Sequence, residues 1–309
     1  MNRLPREFEL PVDEVINSFI DWLVAGWRPL FQAISWPIEN VLDGVQYFMH
    51  ALPFWVVILV FLAVGSVAAG IRVGLFSALA FLAIAFMGIW SEAMTTLAIL
   101  VTSLTFCVSV GIPVGILAGK SDLFWAAMRP VLDVMQTTPS FVYLVPVVML
   151  FGIGTVPGVI ATIVFSIPPI IRLTNLGMRQ VPVETREAGE AFGATEWQAL
   201  MHIRLPLALP SIMAGLNQTL LMSMVMSVII SMIGAEGLGL IVLQGIGRLD
   251  VGLAGIGGIG IILLAITLDR ITQGLGERTK HRHNDAETAS LLKRIRTAIV
   301  PIRNQAVQN

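Results

Sequence analysis

The chain has 309 residues, of which 56% are apolar and only 13% charged, with 19 Lys and Arg against 20 Asp and Glu. A mean hydropathy of +0.83 excludes an ordinary water-soluble domain. A net charge of −1 leaves no basic excess for binding nucleic acid. The expected class is an all-α membrane protein, because a helix satisfies its own backbone polar groups in lipid.

Residues 1–52 are expected to form an external segment. No early basic stretch leads into a short apolar core and a small-residue cleavage site, so no removable signal peptide is expected. Residues 15–49 alternate apolar and polar, with Trp22, Trp27, Trp36, Tyr47 and Phe48 spread along them. Aromatic rings with a polar edge favour the headgroup layer. The pattern suits one or two helices lying on the outer surface, or a helix packed against the other spans. Pro29 and Pro37 are expected to break it into pieces either way.

Seven apolar stretches follow, at about 53–70, 73–90, 93–117, 141–154, 156–171, 212–234 and 251–268, and each is read as a transmembrane helix. The first two make an accessory pair within 53–92, separated only by Ile71-Arg72 and so joined by a tight turn. Gly111, Gly115 and Gly119 recur every four residues in the third, which permits close helix packing in lipid. The fourth is short unless it reaches back to Pro139. Pro139, Pro146 and Pro168-Pro169 predict bends.

Lysine and arginine placement gives an orientation. Residues 269–309 carry eight Lys or Arg against four acidic groups, so the basic tail, 277–309, is expected in the cytoplasm. Arg172, Arg179, Arg186 and Arg204 put the 172–210 loop on the same side, as do Lys120, Arg129 and Arg72 for their turns. The turns near Glu92, Thr155 and 236–250 are poor in positive charge and fall outside. Seven spans then put the N-terminus outside, where three Arg and seven acidic residues suit it.

The longest charged interval, 182–206, reads as a helix-turn-helix. Pro182 suits the first turn of a helix, and Glu184, Glu187 and Glu190 form an acidic stripe. Ala188, Ala191 and Phe192 fall on another face. Gly193 suits a left-handed stop, Thr195 with Gln198 makes a capping box, and Pro206 marks the turn toward the membrane. Glu187-Ala188-Gly189, three residues, Gly193, nine residues, then Ile203-Arg204-Leu205-Pro206 resembles the E-A-A, G, I-x-L-P signature of ABC importer permeases. Gly189 replaces the family's second alanine, and both are small. The resemblance implies that Glu187, Ala188, Gly189, Gly193, Ile203, Leu205 and Pro206 form a cytoplasmic coupling loop that docks on an ATP-hydrolysing subunit.

Other chemistry is poorly supported. Cys107 is the single cysteine, and His50, His202, His281 and His283 do not cluster with acidic ligands, so neither a disulfide nor a metal site is expected. Residues 115–121 mimic a phosphate-binding loop but hold three residues between the glycines where four are needed. No cofactor is therefore expected on this chain; ATP and Mg belong to the partner ATPase. The spans carry almost no charge away from their ends, with Asp133 in a linker, Glu236 in an outer loop and Asp269 at a helix end. That argues against a gradient-driven carrier. No catalytic constellation can be assembled, so the chain is not expected to be an enzyme.

The segments Gln136 to Gly154 and Gly234 to Gly239 resemble the permeases of glycine betaine/proline betaine importers. That resemblance implies a type I permease core over 93–276, a homodimer, two ATPase subunits and a separate periplasmic solute-binding protein. Choline, carnitine and related methylated amines stay open as substrates, as does an ABC permease for another small solute such as an amino acid. Pro139, Phe141, Tyr143 and Glu236 are candidates for the translocation pathway; for Phe141 and Tyr143 the reading as ordinary interfacial aromatics is preferred.

Overall fold

The computed structural model describes residues 12–305, with side chains for 29–278 and for Ser18, Trp22, Gly26 and Trp27. The expectations for residues 1–11 and 306–309, and for the side chains of His281 and His283, lie outside what is described. Among the described residues every regular element is helical. In chain order they are α1 (Val12–Ala51), α2 (Phe54–Ala69), α3 (Ile71–Phe86), α4 (Trp90–Lys120), α5 (Asp122–Thr137), α6 (Leu144–Phe151) and α7 (Thr155–Arg179). Then come α8 (Val183–Ala191), α9 (Glu196–Ala199), α10 (Leu205–Ile229), α11 (Leu238–Arg248) and α12 (Val251–Gln305).

The centre of the bundle is α4 against α7. An added Cβ at Gly111 would lie 2.5 Å from Ile170 Cγ2, at Gly115 2.5 Å from Thr174 Cβ, and at Gly119 2.6 Å from Met178 Cβ. The glycine ridge therefore receives a matching ridge four residues apart on α7, and the two helices run parallel. On its other side α7 meets α10 in the opposite sense, Gly177 facing Ala208 and Ser211 while Gly215 faces Ile170. At one end of the bundle lie Lys120, Arg179 and the 182–206 segment. At the far end the Gly154 amide donates to the Ile233 carbonyl at 2.9 Å.

Four helices are long and apolar enough to cross a membrane, Trp90–Lys120, Thr155–Arg179, Glu196–Ile233 and Val251–Arg278. Two bent pairs raise the number to six: Pro29–Ala51 with Phe54–Ala69 at 105°, and Asp122–Thr137 with Ser140–Phe151 at 108°. The stretch at 141–154 is thus no straight crossing. It starts just after Pro139, as a one-turn 3₁₀ segment (Ser140–Tyr143) leading into the eight residues of α6. The accessory pair has the expected tight turn, with Gly70 at φ 94°. Gly65 and Gly74 let α2 and α3 touch, a Cβ on Gly74 meeting the Leu62 carbonyl at 2.6 Å. Trp90 opens α4 and does not close α3.

One proline expectation needs correction: α1 is not broken into pieces but is continuous through Pro29 and Pro37. α7 likewise runs on through Pro168-Pro169. A proline removes one hydrogen bond from a ladder of many. Ile38 and Leu42 meanwhile pin α1 into a core with Ile99, Val147 and Ile160. α1 is packed on the bundle and exposes Trp36 and Tyr47 along its other side.

The glycine ridge sets a quantitative expectation. Gly115→Leu would drive a side chain into Thr174 and lower stability by at least about 2 kcal/mol. Gly258→Ala, where nothing lies within 4 Å, should leave the midpoint of thermal unfolding in detergent within a degree or two of the parent. Equal midpoints for both variants would remove the ridge from its central role.

Candidate functional site, a charged helical hairpin

Residues 182–206 fold back on themselves at one end of the bundle. Pro182 stands just before α8 as its N-terminal cap, one place earlier than the sequence suggested. α8 stops at a glycine for a stated reason: Gly193 has φ 78°, which side chains disfavour. Its amide donates to Glu190 O (2.9 Å) and the Ala194 amide to Gly189 O (3.0 Å), the paired bonds of a Schellman stop. The Thr195 capping box forms in full, with Thr195 N to Gln198 Oε1 at 2.9 Å and Gln198 N to Thr195 Oγ1 at 3.3 Å.

The second arm differs from expectation. It is not a separate short helix, and Pro206 is no corner: helical structure runs without a break from Glu196 to Ile233. Leu200–Arg204 forms a widened π turn. Pro206 and Pro210 cannot donate amides to the preceding turn, and a π turn is a common way to absorb that loss without stopping the helix. The root of the arm is buried, because Leu200 packs with Met178, Ala208 and Ile212, supported by Ile112, Ile116 and Leu205.

The arms cross at Gly189, where an added Cβ would meet Ile203 Cδ1 at 2.5 Å. Glu187, Ala188, Ala191 and Pro206 are exposed, and the corner carries two bare aromatics, Phe192 at 93% and Trp197 at 64% exposure. Sequence reading put Phe192 on a face of α8 but gave Trp197 no part. Behind the corner is a recess of about 430 Å³ lined by Lys120, Arg186, Glu190, Glu196 and Arg204. Among the described residues none of these five charges forms an ion pair, and the Nε atoms of Arg186 and Arg204 are buried without a hydrogen-bond partner.

The hairpin is braced by contacts that no local pattern announces. Arg179 closes α7 by donating to Asn175 Oδ1 (2.8 Å), Ala118 O (3.0 Å) and Asp122 Oδ1 (2.6 Å), which joins the ends of α4, α5 and α7. Arg172 reaches Asp133 at 2.5 Å. The pathway candidates are not brought together. Tyr143 donates its hydroxyl to Met135 O and stacks edge-on with Phe165, while Phe141 is exposed beside it and Pro139 caps the 3₁₀ turn. Glu236 lies at the far end, its amide 3.4 Å from Thr155 Oγ1, beside a recess of about 260 Å³ that it shares with Glu92, Thr95 and Gln244. Asp269 also departs from expectation. It lies inside a membrane-length helix, and Asn217 Nδ2 donates to it at 3.1 Å.

The sequence profile of the family described as "binding-protein-dependent transport system inner membrane component" matches residues 111–281. This chain belongs to that family. It is an ABC-importer permease, a multi-pass protein of the inner membrane, and such permeases are not themselves enzymes. It is 50% identical to the glycine betaine/proline betaine transport system permease protein ProW of Escherichia coli, over 89% of this chain and 78% of that one. It is 39% identical to the glycine betaine transport system permease protein OpuAB of Bacillus subtilis, over 92% and 100%. With the glycine betaine/carnitine transport permease protein GbuB of Listeria monocytogenes it shares 41% identity over 86% and 96%. Inward-facing structures of the MetNI methionine ABC transporter superimpose at TM-scores of 0.51 and 0.54 over 59% and 62% of this permease. At 24% identity they show the shared fold alone.

The Arg179 brace separates two kinds of contact. Asp122 is 91% exposed, so Asp122→Ala should cost the permease at most about 1 kcal/mol. Arg179→Ala also strips the bonds to Asn175 and Ala118 and should cost about 2 kcal/mol or more. Thermal unfolding of the two variants in detergent measures the difference, and equal losses would refute the ranking.

Proposed function

We propose that this permease imports glycine betaine, proline betaine or a related methylated amine, driven by ATP hydrolysis on a partner subunit. Two copies of the chain form the pathway, two ATPase subunits dock beneath them, and a separate periplasmic binding protein delivers the solute. The hairpin end faces the cytoplasm together with the C-terminal tail, and the N-terminal segment is outside. The core spans 93–276, with 53–92 an accessory pair. No cofactor binds this chain, and ATP with Mg acts on the ATPase.

The observation that carries the reading is the form of the hairpin. A short helix bearing Glu187 and Ala188 projects with small side chains outward, next to Phe192 and Trp197, while its root is anchored by Leu200. Small exposed residues beside aromatics suit insertion into a groove on another protein. A buried root passes a push on the helix into α7 and α10. ATP binding would then draw the hairpins together and rock the bundle between inward- and outward-open states, a rigid-body transition. The betaine substrate class rests on the names of the similar permeases.

ATP hydrolysis in liposomes containing this permease, its ATPase and its binding protein tests the reading against betaines, choline, carnitine and amino acids. Stimulation by a methylated amine is expected; stimulation by an amino acid alone would discard the substrate class. Ala188→Arg puts a long charged side chain on the docking face. It should leave membrane insertion intact and reduce solute-stimulated hydrolysis by about a hundredfold, as loss of a central contact of roughly 3 kcal/mol implies. Full activity in that variant would sink the coupling role, and uptake that collapses with an uncoupler while ATP is maintained would point to a gradient-driven carrier.

A further inference from the structure

The exposed side of α10 carries an amide where lipid would tolerate none. Gln218 lies about 22 Å of helix from Ile233, inside a hydrocarbon layer about 30 Å thick. It is exposed, as are Ala214, Leu221 and Val225 on the same face, and among the described residues its side chain makes no hydrogen bond. Hydrocarbon offers a carboxamide no partner, so a bare one at this depth marks a surface that meets water or a solute.

Gln218 opens onto a groove of about 490 Å³ between α10 and α12, lined also by Met213, Asn217, Thr272, Gln273 and Glu277. The polar part is held in place from behind. Asp269 accepts hydrogen bonds from Asn217 Nδ2 at 3.1 Å and from Gln273 Nε2 at 2.8 and 2.9 Å. The Thr272 hydroxyl donates to Asn217 Oδ1. With its nitrogen committed to Asp269, Gln273 has its carbonyl oxygen left for the groove.

We propose that this groove is a solute subsite on the inner part of the translocation pathway, taking a zwitterion with a methylated ammonium and a carboxylate. The proposal rests on the methylated-amine reading above. The Gln218 amide N–H groups donate to the solute carboxylate. The Gln273 carbonyl oxygen and the Glu277 carboxylate face the ammonium, which has no N–H to donate and is held by oxygens through charge alone. Asp269 is a positioning residue, acting through Asn217 and Gln273. The lining residues include no aromatic ring, so the cation is not caged and binding is weak. A site on a conduction path needs that property, since the solute must leave as readily as it enters.

Cys107 is the sole cysteine of the chain and is buried, so labelling read on the permease chain reports the introduced cysteine. The test uses Gln218→Cys, with Gln273→Cys as a second position, in permease assembled with its ATPase and binding protein in nanodiscs. The probe is a permanently charged trimethylammonium thiosulfonate. Without nucleotide it should label either position, and glycine betaine at ten times its dissociation constant should slow labelling about tenfold. Reaction only with a lipid-soluble maleimide would put the face in lipid, and no reaction with either reagent would put it under a second copy; both results overturn the proposal. Labelling that glycine betaine does not slow would also overturn it. If the unsubstituted transporter hydrolyses ATP in response to glycine betaine while protection fails, the groove alone is wrong. If hydrolysis does not respond, the substrate reading falls and takes the subsite with it.

Discussion

The parallel contact of α4 with α7 is the constraint on which the remaining structure depends. Three glycines on one side of α4 bring the two backbones together, and in lipid such an approach gains dispersion contacts that no hydrophobic driving force would supply. Once α7 is fixed, Gly177 and Gly215 fix α10 against its other side. α12 is then tied to α10 through Asn217 and Asp269. Each helix in this series is positioned by glycines that admit a facing side chain or by polar links, so the bundle is a set of closely spaced rods.

The hairpin inherits its position from that packing. Met178, which meets Gly119, also belongs to the small core under Leu200, so the seam that joins α4 to α7 continues directly into the root of the second arm. Arg179, the next residue, ties in the start of α5. The charges at this end thus serve two purposes. Some brace the helices, and others, around the recess behind the corner, form no ion pair among the described residues.

Much of the architecture was legible in the sequence, and the reasons can be named. The i, i+4 glycines stated their own packing, the Thr195 to Gln198 spacing stated its cap, and Gly193 stated the end of α8. These signals are local, carried by residues within one or two turns of each other. What escaped was long-range or cumulative. The pairing of Arg179 with Asp122 and of Arg172 with Asp133 joins positions far apart in the chain, and nothing around either partner reveals it. Pro29, Pro37 and Pro206 misled because a single missing hydrogen bond was weighed without the turns on either side. Asp269 was taken for the end of a helix since the apolar run stops there, although the helix itself continues.

The unbroken helix from Glu196 to Ile233 has a mechanical consequence. At roughly 1.5 Å per residue it is a rod some 57 Å long, with the capped corner at one tip and the Ile233-to-Gly154 bond near the other. A helix without a break carries a tilt at one tip toward the other. A rotation of a few degrees about its middle would shift both tips by a few ångströms in opposite directions. Compliance at its ends sits in the joints, at Gly193 where the corner meets α8 and at Gly234 and Gly237 of the following turn, which already hold backbone conformations with positive φ. The stroke of such a transporter would be set by how far two glycine joints can open, and the helix between them would fix only its ratio.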